Sequence, residues 1–236
     1  MMTTSKRVQD ILADNPWRAH RHNPFILDAD VDRIVRYNET VTEQFQLSFD
    51  VPPEPIHGNP LHANVVVLML NPGFHDDDVV YAADPEYCEQ LACEMSMVQG
   101  PGDYPFVPLD PRWRQTPTGS WWRKVLSRLI AHAGEQQVAE RFAVLEWYPY
   151  HSRSFRYKSH LLRLSEATAF NQSVAAACVN DPDKTVICMR GHDLWTMGCK
   201  FDAYELPRPV NPRCASLTPG NLGDELFEDI LGKMTL

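Results

Sequence analysis

The chain has 236 residues, of which 44% are hydrophobic and 22% are charged. This length allows one large domain or two small ones, and the composition permits a buried core and excludes intrinsic disorder. Uninterrupted apolar runs such as Val65–Leu70 reach six residues, far short of the roughly 20 that a membrane-spanning helix needs. Because no apolar signal region follows the first residues, we expect a cytoplasmic protein.

The formal net charge of −9 argues against a dedicated nucleic-acid binder. The charge is unevenly distributed, however, because residues 112–163 contain ten Lys or Arg and three Asp or Glu. Two interpretations fit this local excess of positive charge. Either these residues lie on solvated helix faces, or they form a basic strip that faces a phosphate-bearing ligand.

The six cysteines form no C-x-x-C motif of the kind that zinc fingers and iron–sulfur sites use. The sequence therefore predicts no structural zinc, no iron–sulfur cluster and no other cofactor. Disulfides are not expected in a chain without a secretion signal. Cys178 and Cys188 have apolar neighbours and are interpreted as small core residues.

The first 60 residues are predicted to be helical segments followed by a rigid connector. Residues 3–14 favour a short helix, and a second helix would follow Asp28 or Asp30 as its N-cap. Residues 51–60 contain four prolines and form the connector. We accordingly divide the chain into an N-terminal extension, residues 1–60, and an α/β domain, residues 61–236.

The α/β domain alternates buried strands with helices. Short β-branched apolar runs between turn residues predict strands at Val65–Leu70, Phe142–Trp147, Thr185–Met189 and, more briefly, Ala203–Leu206. Helices are expected at 84–97, Gly119–Ala133, Leu161–Val179, His192–Met197 and 221–233, with Trp121 in the core. This alternation predicts a three-layer α/β/α protein with a central, mostly parallel four-stranded sheet.

In such sheets, ligands bind outside the carboxyl ends of the strands. This rule selects the loops at 71–78, 147–153, 190–193 and 207–221. Asn71-Pro72-Gly73 follows the first predicted strand, and Asn211-Pro212-Arg213 lies in the last of these loops. Each motif alone is an ordinary turn signal.

Together, the two motifs resemble those of the uracil-DNA glycosylase superfamily, in particular its mismatch-specific uracil/thymine branch. Met69-Leu70-Asn71-Pro72-Gly73 is similar to the Gly-Ile-Asn-Pro-Gly motif of that branch, and Asn211-Pro212-Arg213 is similar to its Asn-Pro-Ser motif. The resemblance implies a uracil-DNA-glycosylase-like fold. It also implies a DNA-base glycosylase that flips a modified or mismatched base and hydrolyses its N-glycosidic bond.

The resemblance also implies roles for individual residues. Asn71 would position the attacking water, and Gly73 and Phe74 would contact the base. Asn211 and Arg213 would lie on a loop that enters the DNA. An amide at the end of the second strand reads the base edge in this family, and Glu146 stands near that position.

Other residues near the strand ends are candidates on chemical grounds. Glu146 would accept a hydrogen bond from an exocyclic amine, or else pair with an arginine. Tyr148, His151 and Arg153 would form a stacking platform beside phosphates, or pack in the core. Arg190 precedes a Gly turn that would bind an anion at a helix N-terminus, unless Asp193 only caps that helix.

The run His75-Asp76-Asp77-Asp78 is interpreted as a solvated acidic loop, in which Asp76 would be the general base for the water. Two alternatives to a glycosylase stay open. One is a non-catalytic protein of the same fold that binds DNA or a nucleotide. The other is a metal-dependent hydrolase that uses His75 and the aspartates.

Overall fold

The computed structural model describes residues 10–18, 25–98, 100, 102–156, 165–199 and 206–235, with the backbone alone at 198 and 199. Its centre is a four-stranded sheet in the order β1-β3-β2-β4. The strands are β1 (Ile56–His57), β2 (Val65–Met69), β3 (Phe142–Glu146) and β4 (Thr185–Cys188). β2 pairs in parallel with β3 and β4, whereas β1 pairs antiparallel with β3. The prediction of an α/β protein with a mostly parallel sheet is confirmed.

Both faces of the sheet are covered, since alternate strand residues feed two separate apolar clusters. Val66, Leu68 and Ala143 belong to one cluster, and Val67 and Val144 belong to the other. This arrangement fits the three-layer α/β/α class.

The helices have the following bounds. They are α1 (Asp28–Glu39), α2 (Asp78–Ala82), α3 (Pro85–Met95), α4 (Pro117–Val125), α5 (Ser127–Ala133), α6 (Glu135–Arg141), α7 (Glu166–Val179), α8 (His192–Cys199), α9 (Pro219–Leu222) and α10 (Asp224–Lys233). α1, α3 and α7 contribute to the first cluster, and α4, α5, α6 and α10 contribute to the second. Among the described residues, no helix has the length and apolar character that crossing a bilayer requires.

Strand β1 is an element that the sequence analysis did not predict. It lies inside the proline-rich connector, where Ile56 pairs with Leu145. The fourth strand expected at Ala203–Leu206 lies, apart from Leu206, outside the described residues. Side chains of the N-terminal segment, Trp17, Ile34 and Leu47, pack in the same cluster as the sheet. The division at residue 60 stays a prediction.

Three local expectations were wrong. The helix expected at Gly119–Ala133 is two helices that meet at Leu126, and Trp122 is buried whereas Trp121 is 39% exposed. Neither Asp28 nor Asp30 caps α1, because its N-cap is Leu27. Asp30 is instead buried and accepts a hydrogen bond from Tyr150.

The expected cap of α8 was also wrong. Asp193 lies within the first turn of that helix rather than at its N-cap. The first four residues of the helix expected at Leu161–Val179 lie outside the described residues. Cys178 and Cys188 are buried, as predicted.

Candidate active site

A cavity of about 550 Å³ opens at the carboxyl ends of β2 and β3. Its walls come from the connector, the loop after β2, the start of α4 and the segment after β3. Its lining includes Glu54, Asn71, Gly73, Phe74, Asp78, Thr118, Trp121, Glu146, Arg153 and Arg190. Six of the residues selected from the sequence therefore meet at one site: Asn71, Gly73, Phe74, Glu146, Arg153 and Arg190.

Backbone pairing continues beyond β2 and β3 and ties together the two loops that carry these residues. The N–H of Tyr148 donates to the carbonyl of Leu70 at 3.0 Å. Further along, Gly73 and Ser152 form a parallel bridge, and the N–H of Phe74 donates to the carbonyl of Ser152 at 3.0 Å. The loop after β2 is thus held as an extension of the sheet, which fixes its side chains relative to β3.

Asn71 is anchored through its amide nitrogen. Nδ2 donates to the carbonyl of Pro72 and to the hydroxyl of Ser152, both at 2.9 Å, and to the carbonyl of Tyr150 at 3.4 Å. Since carbonyl oxygens only accept, this environment fixes which end of the amide is nitrogen. None of the described residues donates to Oδ1, which leaves this oxygen for a water or a ligand.

Glu146 ends β3 and lines the cavity, although its side chain is buried. Asn171 of α7 donates to the backbone carbonyls of Glu146 at 2.7 Å and of Pro55 at 2.9 Å, which holds this strand end in place. The Oε2 atom is buried and has no hydrogen-bond partner among the described residues. Burial raises the pKa of the Glu146 carboxyl to about 8. At neutral pH this group is therefore a neutral acid that carries one donor and one acceptor.

Behind the cavity lies a buried ionic cluster formed by Glu54, His57 and Glu94. His57 is 2.9 Å from Glu94 through Nδ1 and 3.2 Å from Glu54 through Nε2. Although burial opposes its charged form, Glu94 and Glu54 raise the pKa of His57 to about 10. The Thr118 hydroxyl donates to Glu54 at 3.1 Å. This cluster joins the connector to α3 and α4.

Asp78 and His151 form a second pair of ionisable groups at the site. Nδ1 of His151 lies 2.7 Å from the carbonyl of Gly73 and 3.9 Å from a carboxylate oxygen of Asp78. Its Nε2 is buried without a hydrogen-bond partner among the described residues, 3.8 Å from Glu54. Burial raises the pKa of Asp78, and His151 opposes that shift. His151, expected to contact nucleic acid, is thus a buried member of the site.

Asp76 and Tyr148 do not lie where the sequence analysis expected them. Asp76 is an exposed residue that pairs with Arg153, and Asp78 lines the cavity in its place. Tyr148 is fully buried in the first apolar cluster, where its ring packs against Tyr150 and is not among the residues that line the cavity. Tyr148 lies two residues beyond the end of β3, where the chain bends, so the alternation that would place it on the same side as Glu146 no longer applies.

The rim of the cavity carries aromatic and cationic side chains. The guanidinium of Arg153 lies 5.0 Å from the ring centroid of Phe74, within the range of a cation–π contact. Trp121 stands against Trp122 and is partly exposed at the same rim. Together, these side chains offer flat surfaces on which a planar ring stacks.

A neighbouring cavity of about 780 Å³ lies beside the predicted residues Arg190, Arg213 and Asn211. Arg190 and Arg213 line it. Asn211 is exposed, and its Oδ1 accepts from the N–H of Arg213 at 3.0 Å, a turn-forming contact. The backbone N–H of Asn211 donates to Asn221, at the end of α9, at 3.0 Å.

Acidic partners neutralise four of the eight described Lys and Arg side chains of residues 112–163. The described ion pairs join Arg112 to Glu86 and Asp110, Arg114 and Arg123 to Glu135, and Arg153 to Asp76. Lys158 and Arg163 lie outside the described residues. The strip is therefore not a continuous positive surface over its described part.

The acidic loop shows no metal-binding arrangement. Within the described ranges, no three His, Cys, Asp or Glu side chains are placed to hold a metal ion. His75 contacts Asp77 at 3.5 Å, and both side chains are exposed.

Sequence reasoning missed Glu54, His57, Glu94 and Thr118. Glu54, His57 and Glu94 are ionisable side chains, which a sequence pattern assigns to the surface. The one sequence signal near two of them was the proline-rich stretch that contains Glu54 and His57.

Comparison of the chain with protein-family models, with curated proteins and with solved structures finds no match.

Proposed function

We propose that the chain is a glycosylase-like hydrolase that cleaves the N-glycosidic bond of a nucleobase held in the cavity at the end of β2 and β3. The observation that carries this proposal is the buried Oε2 of Glu146, which has no hydrogen-bond partner among the described residues and belongs to a side chain that lines the cavity. An unpaired polar atom in a buried position costs about 1–3 kcal/mol. A ligand that supplies its partner recovers this energy, so the cavity is suited to a ring with polar edge groups.

Glu146 in its neutral form has one O–H donor and one carbonyl acceptor. This pair complements any ring edge that places an acceptor beside a donor, as an amide or amidine edge does. The neutral acid differs from the ionised one, which only accepts and would select an exocyclic amine. The rim residues Phe74 and Trp121 supply the stacking surfaces for such a ring.

The hydrolysis follows from groups on the same walls. The bond between C1′ and the base nitrogen breaks, and its electron pair leaves with the base. Water bound to Oδ1 of Asn71 forms the new bond to C1′ and gives a proton to the carboxylate of Asp78. A carboxylate with a raised pKa is the stronger base for this transfer. The departing base is stabilised by the hydrogen bond from Glu146 and takes up a proton from solvent water, while Asp78 returns its proton to the solvent.

A non-catalytic protein that binds a nucleotide is the second candidate, because the same cavity and the same Glu146 would serve binding alone. The hydrolase and the binding protein differ in whether the water at Asn71 reacts.

The experiment incubates purified protein with labelled oligonucleotides, single- and double-stranded, that carry uracil, mismatched thymine, hypoxanthine or modified cytosines. Alkali then cleaves any abasic site.

We expect strand breaks at one base that disappear in Asn71→Ala and persist in Asn180→Ala, a matched change at an exposed helix end. Glu146→Gln keeps a donor and an acceptor and retains activity, whereas Glu146→Ala loses it. Breaks that persist in Asn71→Ala contradict the proposed mechanism. A folded protein that leaves every substrate intact supports the binding protein instead.

A further inference from the structure

The cavity of about 780 Å³ beside the candidate active site is rich in arginine. It lies between the end of β4 and the loop that precedes α9, and Arg190, Arg208 and Arg213 line it with His192 and Asp193. None of the three arginines forms an ion pair with a described residue. In a chain with a net charge of −9, three guanidinium groups that surround one cavity and have no acidic partner among the described residues mark an anion site.

Buried nitrogen atoms at this cavity also lack partners. Nε of Arg190 and Nε2 of His192 are both buried without a hydrogen-bond partner among the described residues. Arg190 is held in place by a hydrogen bond from Nη2 to the carbonyl of Arg213 at 3.2 Å. The acidic side chain nearby, Asp193, is 99% exposed, so it does not fill the site. A ligand with several acceptor oxygens would satisfy these donors.

The arginine cavity and the candidate active site are neighbours. Arg190 and Leu70 line both. A ligand that fills both cavities therefore places a planar ring beside Glu146 and an anionic group beside the three arginines.

The number of arginines distinguishes one kind of phosphate from another. A phosphodiester within a strand carries a single negative charge and two free oxygens. A phosphate monoester carries about −1.5 to −2 charges at pH 7 and three acceptor oxygens. Three guanidinium groups match the monoester. The ion pairs of Arg112, Arg114, Arg123 and Arg153 agree with this choice, because they weaken residues 112–163 as a track for a long strand backbone.

We propose that the arginine cavity binds a terminal phosphate monoester of the molecule whose base occupies the neighbouring cavity. The substrate would then be a nucleoside monophosphate or the phosphorylated end of a strand. The inference rests on the proposed function for the identity of the base-bearing ligand, but the phosphate site is testable without any turnover.

The test measures the binding of methyl phosphate and of dimethyl phosphate to the full chain by titration calorimetry at low salt and pH 7.5. We expect methyl phosphate to bind about tenfold more tightly, because it offers an extra charge and an extra oxygen to charged donors. Arg208→Gln and Arg213→Gln are each expected to weaken methyl phosphate about tenfold. Arg128→Gln, which changes an exposed arginine of α5, is the matched control and leaves binding unchanged.

Equal affinity for the two phosphates, or an equal loss in Arg128→Gln, overturns the inference. Deoxynucleoside 5′-monophosphates and a trinucleotide with or without a 5′-phosphate then separate the two sources of the monoester. Selective binding of methyl phosphate with no base released from any oligonucleotide or deoxynucleoside 5′-monophosphate supports the phosphate site and contradicts the proposed hydrolase. Base release without selectivity for the monoester contradicts the phosphate site alone.

Discussion

Nδ1 of His57 lies 2.9 Å from a carboxylate oxygen of Glu94, and both side chains are buried. The other carboxylate oxygen of Glu94 accepts from the N–H groups of Gly58 at 2.6 Å and Val107 at 2.9 Å. Glu94 therefore joins α3, the connector and the short 3-10 helix at Val107–Leu109. Because His57 and Glu54 line the candidate active site, this ionic contact supports the back wall of the cavity.

Replacing Glu94 by Gln is expected to destabilise the fold by about 3 kcal/mol, because it leaves the charged His57 with one carboxylate partner in a buried position. The free energy of unfolding is measured by urea denaturation. Glu89→Gln, at an exposed position of the same helix, is the control and stays near wild type. A loss below about 1 kcal/mol would mean that the pair does not stabilise the fold.

The same contact makes stability dependent on alkaline pH. Since the pKa of His57 is raised from 6.5 to about 10, the folded state holds a proton that the unfolded state releases. The stabilisation is complete below pH 6.5 and is lost as the pH rises towards 10. Glu94→Gln should flatten this decline. An unchanged slope in the variant would contradict the assignment of the proton to His57.

Gly58 occupies a position that no other residue fits. Its φ of +74° is in the left-handed region, and a Cβ atom would lie 2.5 Å from the carbonyl oxygen of Phe142. Gly58→Ala is therefore expected to destabilise the protein by at least about 2 kcal/mol. Gly232→Ala is the matched control, because Gly232 lies in α10 with nothing within 4 Å of the added atom. Helix propensity predicts that Gly232→Ala raises the free energy of unfolding by about 0.5–1 kcal/mol. The midpoint temperatures of thermal unfolding of the two variants should therefore shift in opposite directions from wild type.

The central strands were predictable from sequence because β2, β3 and β4 are mainly apolar runs between turn residues. β1 was not, because a two-residue strand between prolines has no periodicity and depends on its pairing with β3. Trp121 and Trp122 are adjacent, so the helical pattern alone does not decide which of them faces the core. The helix also begins two residues earlier than expected, at Pro117, and stops at Leu126.

The candidate site was predictable only in part, because some of its contacts join residues that are distant in the sequence. Asn71 follows β2 and Glu146 is the last residue of β3, and strand ends are local features of the sequence. The contacts of Glu94 with His57 and with the backbone N–H of Gly58 join residues 37 and 36 positions apart, and no local pattern reports such contacts. Asp76 and Asp78 lie in one acidic run, and the contact between the His75 N–H and Asp78 at 2.7 Å decides which aspartate turns inward.

Glu146→Gln should increase stability at neutral and alkaline pH. Burial raises the pKa of the Glu146 carboxyl from 4.5 to about 8 in the folded protein. As the pH rises, the unfolded chain therefore loses the carboxyl proton before the folded protein does. The contribution of Glu146 to wild-type stability therefore falls by an amount on the order of 4 kcal/mol between pH 4.5 and about 8 and is constant above that. Gln does not titrate, so the variant lacks this decline. Urea midpoints at pH 5 and pH 8 test the prediction, and parallel declines in both proteins would contradict it.

Asp78 and Asp76 provide a matched pair for testing the hydrolysis, since they lie two positions apart and the same substitution applies to both. Asp78→Asn removes the proposed base from the cavity and should lower the single-turnover rate of base release by about 10²–10⁴-fold. Asp76→Asn breaks only an exposed pair with Arg153 and should change the rate less than about threefold, because exposed pairs contribute little. His75 donates its N–H to Asp78, so the asparagine oxygen preserves that contact and the loop keeps its shape. If Asp76→Asn causes the larger loss, the exposed aspartate moves inward with substrate and the general base is Asp76. If neither variant slows the reaction, Asn71 alone positions the water and no carboxylate of this loop takes its proton.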